Sequence, residues 1–312
     1  MARVLHPQTG ARVGPATATS PGPVAARDVL GIFKPRIAVS IMLSAIGGLA
    51  ITPGALPDAW RTAVMAFAVF LAAGAAGAFN QWAESDLDAN MARTAGRPFA
   101  SGRLHAGWAW LATIVGLLAF AVGVAAAALN PWTAFYTFMG AFTYAVIYTV
   151  WLKRRTWLNI VVGGAAGSFA VLAGSAAVDP GLSPEAILLA IVLFLWTPPH
   201  FWSLAIAAHQ DYEANLVPML PVVVGDVVCA KVILAHTVAL CLIALLPAVY
   251  GMGWIYLAFA AVGGTLFTAA SIRLVMWPTK RRAIHNFLAS LAQLVLLLSG
   301  IVVDRWLLGS PV

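Results

Sequence analysis

The sequence predicts an all-α integral membrane protein with nine transmembrane helices, and three observations carry that reading. Hydrophobic residues make up 62% of the 312 positions and charged residues only 9%, well below the roughly 25% charged of a soluble protein. The apolar residues gather in runs long enough to cross a bilayer, which takes about 20 residues of helix. The Lys and Arg residues fall between those runs with a strong bias to one side. Mean hydropathy is +0.90.

The nine runs lie at residues 37–53, 62–84, 107–128, 132–151, 157–178, 184–207, 227–250, 253–275 and 284–306. Residues 1–36 form a leader rich in Ala, Pro, Thr and Arg, with Asp28 as its one acid. It reads as a cytoplasmic tail without fixed structure, or alternatively as a mitochondrial presequence, which is also Arg-containing and acid-poor. The membrane domain then covers residues 37–308. Cys229 and Cys241 fall in one run, twelve residues apart. That places them roughly 18 Å apart along a helix, too far for a disulfide.

With the N-terminus inside, the inner segments hold Arg3, Arg12, Arg27, Lys34, Arg36, Arg93, Arg97, Arg103, Lys153, Arg154, Arg155, Lys231, Arg273, Lys280, Arg281 and Arg282. The outer segments hold Arg61 and Arg305. Sixteen against two places the N-terminus in the cytoplasm and the C-terminus in the periplasm of a bacterial inner membrane. The net charge of +7 is thereby a topology signal, and no nucleic-acid partner is implied. The outer connections are tight. Two inner ones, about 85–106 and 208–226, are long and polar, and long loops in a compact bundle usually carry function. Gly74 with Gly77, and the trio Gly163, Gly164 and Gly167, read as small-residue helix packing.

Three polar constellations lie on that inner side. Asn80, Glu84 and Asp88 are spaced i, i+4, i+8 and share one helix face. Two carboxylates and an amide make an oxygen-donor set for a hard cation such as Mg2+, and carboxylates at the end of a membrane helix are costly unless they bind something. Asp86 points about 120° away, toward a role as partner for an Arg. Arg93, Arg97-Pro98 and Arg103 follow, and guanidinium groups suit phosphate. The second constellation runs Trp196-Thr197-Pro198-Pro199-His200-Phe201-Trp202 and on to Asp211 and Asn215. The double proline predicts a break or kink of the sixth helix, tolerated where backbone lines a cavity. His200 lies just past it, and Asp211 supplies a carboxylate near the inner end. The third is Tyr148-Thr149 with Lys153-Arg154-Arg155, a basic cluster facing the same side as both acidic loops.

These residues resemble the UbiA superfamily of intramembrane prenyltransferases, and within it the haem O synthase branch. The resemblance rests on Lys34-Pro35-Arg36, on Asn80 to Asp88 with Arg93 and Arg97-Pro98, on Tyr148-Thr149 with Lys153-Arg154-Arg155-Thr156, on Asn159 to Gly167, and on Thr197 to Trp202 with Asp211-Tyr212 and Pro218 to Pro221. It covers about residues 30–305. It implies a horseshoe of nine helices around a central cavity, and transfer of a farnesyl group from farnesyl diphosphate to a vinyl group of haem B for haem-copper oxidases. Haem A synthase or oxidase assembly factors are the implied protein partners. Mg2+ on Asn80, Glu84, Asp88 and Asp211 is the implied cofactor site. Arg36, Arg93, Arg97, Lys153 and Arg154 are the implied diphosphate contacts. Tyr148, Trp202, Trp82 and Trp196 offer ring faces to an allylic cation. His200, or less directly His209, would meet haem iron or a propionate. Glu84 and Gln210 depart from the family's usual Asp, and Leu216 from its usual Gly. A prenyltransferase for an aromatic or quinone precursor and a polytopic transporter are the alternatives. Against the transporter, the acids cluster at one membrane face and nine spans do not divide into paired repeats.

A reporter fused after Val312 should read out on the periplasmic side, and reporters at Ala95 and Glu213 on the cytoplasmic side. A cytoplasmic C-terminus would mean that the number of spans is even.

Overall fold

The computed structural model describes residues 24–309, and every regular element among them is helical. Eight helices are long and apolar enough to cross a membrane. The pair α1 (Ala26–Ile32) and α2 (Pro35–Ile51), bent by 44°, brings the number to nine. The remaining spans are α3 (Ala59–Ala83), α5 (Trp108–Ala128), α6 (Pro131–Phe142) continued by a π-helical segment (Thr143–Leu152), α7 (Asn159–Gly163) with α8 (Ala165–Ala176), α9 (Pro184–Ala207), α12 (Asp226–Ile243) continued by a 3-10 turn (Leu246–Tyr250), α13 (Trp254–Met276) and α14 (Lys280–Leu308). Short helices α4 (Ser85–Ala89), α10 (His209–Ala214) and α11 (Leu220–Val224) lie in the two long inner connections. The expected tail overlaps the described residues from 24 to 36, which hold α1 and the start of α2; in α1, Asp28 is buried, accepts from Ala25 N–H and pairs with Arg103 at 3.2 Å. The rest of that tail, residues 1–23, lies outside the described residues.

Consecutive spans pack side by side, and α14 returns to α2. The tightest crossing joins α2 to α8. A Cβ added at Gly48 would collide with the Val171 carbonyl, and one at Gly174 with the Ala45 carbonyl. Both backbones approach closely there because neither glycine carries a side chain. Of the glycine groups expected to do this work, Gly163 and Gly164 pack tightly, a Cβ there lying 3.0 Å from the Tyr148 ring and 3.1 Å from the Phe194 carbonyl, whereas Gly74 and Gly77 meet Phe33 and Lys34 at 3.4–3.6 Å and Gly167 meets Leu193 at 4.0 Å. At the start of α13, buried Asp304 of α14 accepts from the Gly253 and Tyr256 amides, capping that helix from its neighbour. Cys229 and Cys241 are unpaired.

The expected break in the sixth span does not occur. Helix α9 runs through Pro198 and Pro199 without interruption. Proline removes its own N–H and leaves the carbonyl four residues back without a donor. Side chains satisfy other carbonyls around this point. Thr197 Oγ1 donates to Leu193 O at 3.1 Å and Ser203 Oγ to Pro199 O at 2.5 Å. The Phe194 carbonyl, freed by Pro198, lies against Gly164 of the neighbouring span. Buried surroundings of this kind keep a proline helix intact within a membrane.

Gly174→Ala should lower stability by about 1–3 kcal/mol or more through overpacking, whereas Gly167→Ala should be close to neutral. Thermal unfolding of the two variants in detergent compares them, and equal midpoints would remove the α2–α8 contact from its place in the fold.

Candidate active site

At one end of the bundle, the end of α3, the bend between α1 and α2, and the end of the π segment bring their polar side chains together. Helix α3 stops at Ala83, and Glu84 takes a non-helical backbone (φ −111°, ψ 18°) before α4 starts. The i, i+4, i+8 face is therefore bent at its middle residue. Asn80, Glu84 and Asp88 are nonetheless all buried, at 3%, 1% and 2% exposure. Charge at that depth requires partners. Lys153 Nζ pairs with Glu84 Oε2 at 2.6 Å, and Arg97 Nη1 with Asp88 Oδ2 at 2.6 Å. Asn80 Nδ2 donates to Glu84 Oε2 at 2.7 Å, and Lys34 Nζ donates to Asn80 Oδ1 at 2.5 Å and to the Tyr144 hydroxyl at 3.2 Å.

Lys34, not Arg36, is thus the residue of the Lys-Pro-Arg motif that enters the site. Arg36 is exposed. Lys34 has a left-handed backbone (φ 48°) at the bend before Pro35, and that turn sends its chain inward while the helix that follows carries Arg36 outward. The signal available in the sequence was Pro35 itself, which restricts the residue before it and marks a bend. Tyr144 was also missed. Its ring stacks on Tyr148 (5.5 Å, 14°), and the two ring faces carry Lys34 Nζ at 5.6 Å and Lys153 Nζ at 5.9 Å.

Other expected residues lie farther out. Arg154 forms a two-pronged ion pair with Asp86 at 2.9 and 3.1 Å on the exposed rim, as Asp86's outward direction anticipated. The guanidinium holds the Asp86 carboxyl below its usual range. Arg93 lies beside buried Tyr212 of α10; burial pushes that phenol up and Arg93 pulls it back. Asn215 Nδ2 reaches Asn90 O at 3.4 Å and so links the two long inner loops. Asp211 is half-buried and is not gathered with Glu84 and Asp88, and among the described residues no three His, Cys, Asp or Glu side chains converge as a metal site. The acids face lysine and arginine instead: Asp88 pairs with Arg97 of its own loop, and Glu84 with Lys153 from the end of the π segment.

His200 is held rather than free. Its ring is stacked between Trp196 (4.2 Å) and Phe287 (4.5 Å). Ser290 Oγ donates to the Phe287 carbonyl at 2.6 Å, so it accepts from His200 Nδ1 at 2.7 Å, which leaves the proton on Nδ1 and the lone pair on Nε2. His209 pairs with Asp226 at 2.7 Å in the inner loops. Trp202 is 1% exposed, with its ring edge-on to His236, so it is core between α9 and α12 rather than cavity wall. Trp82 is likewise engaged in packing, its Nε1 donating to Gly107 O at 3.3 Å and its ring against Phe79. A cavity of about 310 Å3 opens beside the cluster, lined by Arg27, Asp28, Lys34, Gln81, Arg97 and Arg103 among others.

Oxygen donors for a hard cation are present in part. Glu84 Oε1 is buried with no hydrogen-bond partner. Its companion Oε2 meets the amide nitrogen of Asn80, whose carbonyl faces Lys34, and a buried carboxylate oxygen left without a donor is the donor chemistry that Mg2+ takes.

Residues 41–297 match the model of the UbiA prenyltransferase family. The chain belongs to that family. It is 52% identical over 278 residues to protoheme IX farnesyltransferase 2 of Paramagnetospirillum magneticum, covering 89% of this chain and 96% of that one. It is 43% identical over 280 residues to protoheme IX farnesyltransferase 1 of the same organism, covering 89% and 98%. Among solved structures, a digeranylgeranylglyceryl phosphate synthase has the same fold with a TM-score of 0.71 at 17% identity, over 88% of this chain and 98% of that one. A UbiA homologue from Archaeoglobus fulgidus bound to GPP and Mg2+ has a TM-score of 0.66 at 13% identity, over 86% and 99%. The nine-helix UbiA architecture expected from the sequence is the one observed.

Lys153→Met should destabilise the protein by about 3–5 kcal/mol, because it leaves the Glu84 carboxylate buried and uncompensated. Adding Glu84→Gln should recover most of that loss. Unfolding of the single and double variants in detergent measures the coupling, and strictly additive losses would dismiss the pair as a stabilising unit.

Proposed function

We propose that this membrane enzyme transfers the farnesyl group of farnesyl diphosphate to a vinyl group of haem B, with release of diphosphate. The observation that carries the reading is the buried constellation of Asn80, Glu84 and Asp88 facing Lys34, Lys153 and Arg97 at one end of a UbiA bundle. The two protoheme IX farnesyltransferases that the chain resembles over nearly their whole length support haem as acceptor.

In this reading, Asn80, Glu84 and Asp88 hold Mg2+, which when bound neutralises the diphosphate and favours its departure. Lys34, Lys153, Arg97 and Arg93 take up the negative charge that grows on the leaving oxygen. The bond from the farnesyl carbon to oxygen breaks as the vinyl carbon bonds to that carbon. Water then captures the cation left on the haem side and loses a proton. The stacked faces of Tyr144 and Tyr148 already accept two ammonium groups, so the same faces suit an allylic cation. His200 reaches the acceptor through Nε2. An ionised propionate brings only acceptors, so the Nε2 lone pair favours haem iron over a propionate. Trp202, Arg36 and Arg154 act from outside the reacting centre. Asp211 stays on the facing loop. The inner-membrane setting with an inner-facing site follows the sixteen-to-two charge bias.

Purified protein supplied with haem B, farnesyl diphosphate and Mg2+ should yield a farnesylated haem by mass spectrometry. Asp88→Ala, or excess chelator with the wild type, should abolish it with the fold intact. His200→Ala should keep farnesyl diphosphate binding and lose haem binding. Full activity in chelator would remove the metal from the reading, and a prenylated aromatic product in place of haem would move the enzyme to another branch of the family.

A further inference from the structure

The π-helical segment decides which residues face the site. In an ordinary helix, at about 100° per residue, Thr149 lies about 140° and Lys153 about 180° around the axis from Tyr144. In a π-helix, with bonds to the fifth residue back and about 82° per residue, Tyr148, Thr149 and Lys153 all fall within about 50° of Tyr144. The register is explicit at its end, where Lys153 N–H donates to the Tyr148 carbonyl at 2.9 Å. The wider turns therefore collect both tyrosines, a hydroxyl and an ammonium on the face that meets α3.

Thr149 then has a specific job. It is 4% exposed, and its Oγ1 donates to the Tyr144 carbonyl, five residues back, at 2.8 Å. A hydroxyl has one hydrogen, so toward Asn80 it can only accept. It accepts from Asn80 Nδ2 at 3.0 Å, and the second hydrogen of that amide goes to Glu84 Oε2 at 2.7 Å. Both amide hydrogens are thereby committed, and the amide oxygen is left to face Lys34. A flipped amide would set its carbonyl oxygen against a carboxylate and a hydroxyl lone pair, with no donor for it.

We propose that Thr149, carried onto the site face by the π register, is the positioning residue that orients the Asn80 amide oxygen toward the metal and diphosphate. This rests on Asn80 being a metal ligand, as proposed above. Thr149 touches no reacting atom in this scheme. It acts through Asn80 alone.

The test uses full-length, detergent-solubilised protein with Mn2+ as the probe and its binding followed by electron paramagnetic resonance in the presence of farnesyl diphosphate. Thr149→Val keeps the shape and removes both hydrogen bonds. It should raise the Mn2+ concentration for half-saturation roughly tenfold, the effect of one lost hydrogen bond. Thr149→Ser keeps the hydroxyl and should stay within about threefold of the wild type. On an Asn80→Asp background the carboxylate has no N–H to donate, so Thr149→Val should add nothing there. A Thr149→Val protein with wild-type Mn2+ affinity, or one whose effect is the same on the Asn80→Asp background, overturns the assignment. If the valine variant does not fold, Thr149→Ala makes the same comparison with the same two outcomes. An Asn80→Ala protein that binds Mn2+ like the wild type would instead overturn the ligand set itself.

Discussion

The polar end of this bundle is organised by the need to neutralise buried carboxylates. Glu84 and Asp88 lie at 1% and 2% exposure at the end of a membrane-spanning helix. An unpaired charge there would cost about 3–5 kcal/mol. Lys153 and Arg97 answer the two acids directly, and Lys34 closes the network through Asn80. Three separate stretches of chain are thereby locked to one another: the bend before α2, the end of α3, and the end of the π segment. The same arrangement that makes the acids tolerable also gathers Lys34, Lys153 and Arg97 at one end of the bundle.

Departures from the regular helix concentrate around this network. Lys34 adopts a left-handed backbone, Glu84 interrupts α3, and the π segment widens its turn before Lys153. Each departure aims a charged or polar side chain that an unbroken helix would send elsewhere. π segments recur at functional sites for this reason. By contrast, the feature that looked most disruptive, Pro198-Pro199, leaves α9 whole, and the Phe194 carbonyl that Pro198 frees lies against Gly164 of the neighbouring span.

The other half of the bundle is built differently. Asn286 donates to Ser203 and accepts from Ser271, which also bonds Thr237, so four helices are tied by one buried chain of hydrogen bonds. Ser290 on the same helix fixes His200 between two aromatic rings. Between lipid-facing helices such polar links supply association that apolar contact alone does not, since lipid is as apolar as leucine. His200 is therefore presented by a rigid wall, with one nitrogen engaged and the other available.

Hydropathy and charge are properties of the linear chain, so the sequence by itself determined the nine spans to within a few residues, the distribution of basic loops and the crowding of acids after the second span. Local spacing likewise identified Asn80, Glu84 and Asp88, and the outward direction of Asp86. What only the tertiary structure decided were the partners. Lys34 and Asn80 are 46 residues apart, and Lys153 and Glu84 are 69 apart; no local period relates them. The choice of Lys34 over Arg36 depends on a single left-handed residue, and the facing of Thr149 and Lys153 depends on a π register that looks apolar and ordinary in sequence. The glycines that matter most, Gly48 and Gly174, are set by where two backbones cross. Each of these depends on distances between segments far apart in the chain, and those distances are fixed only when the helices pack.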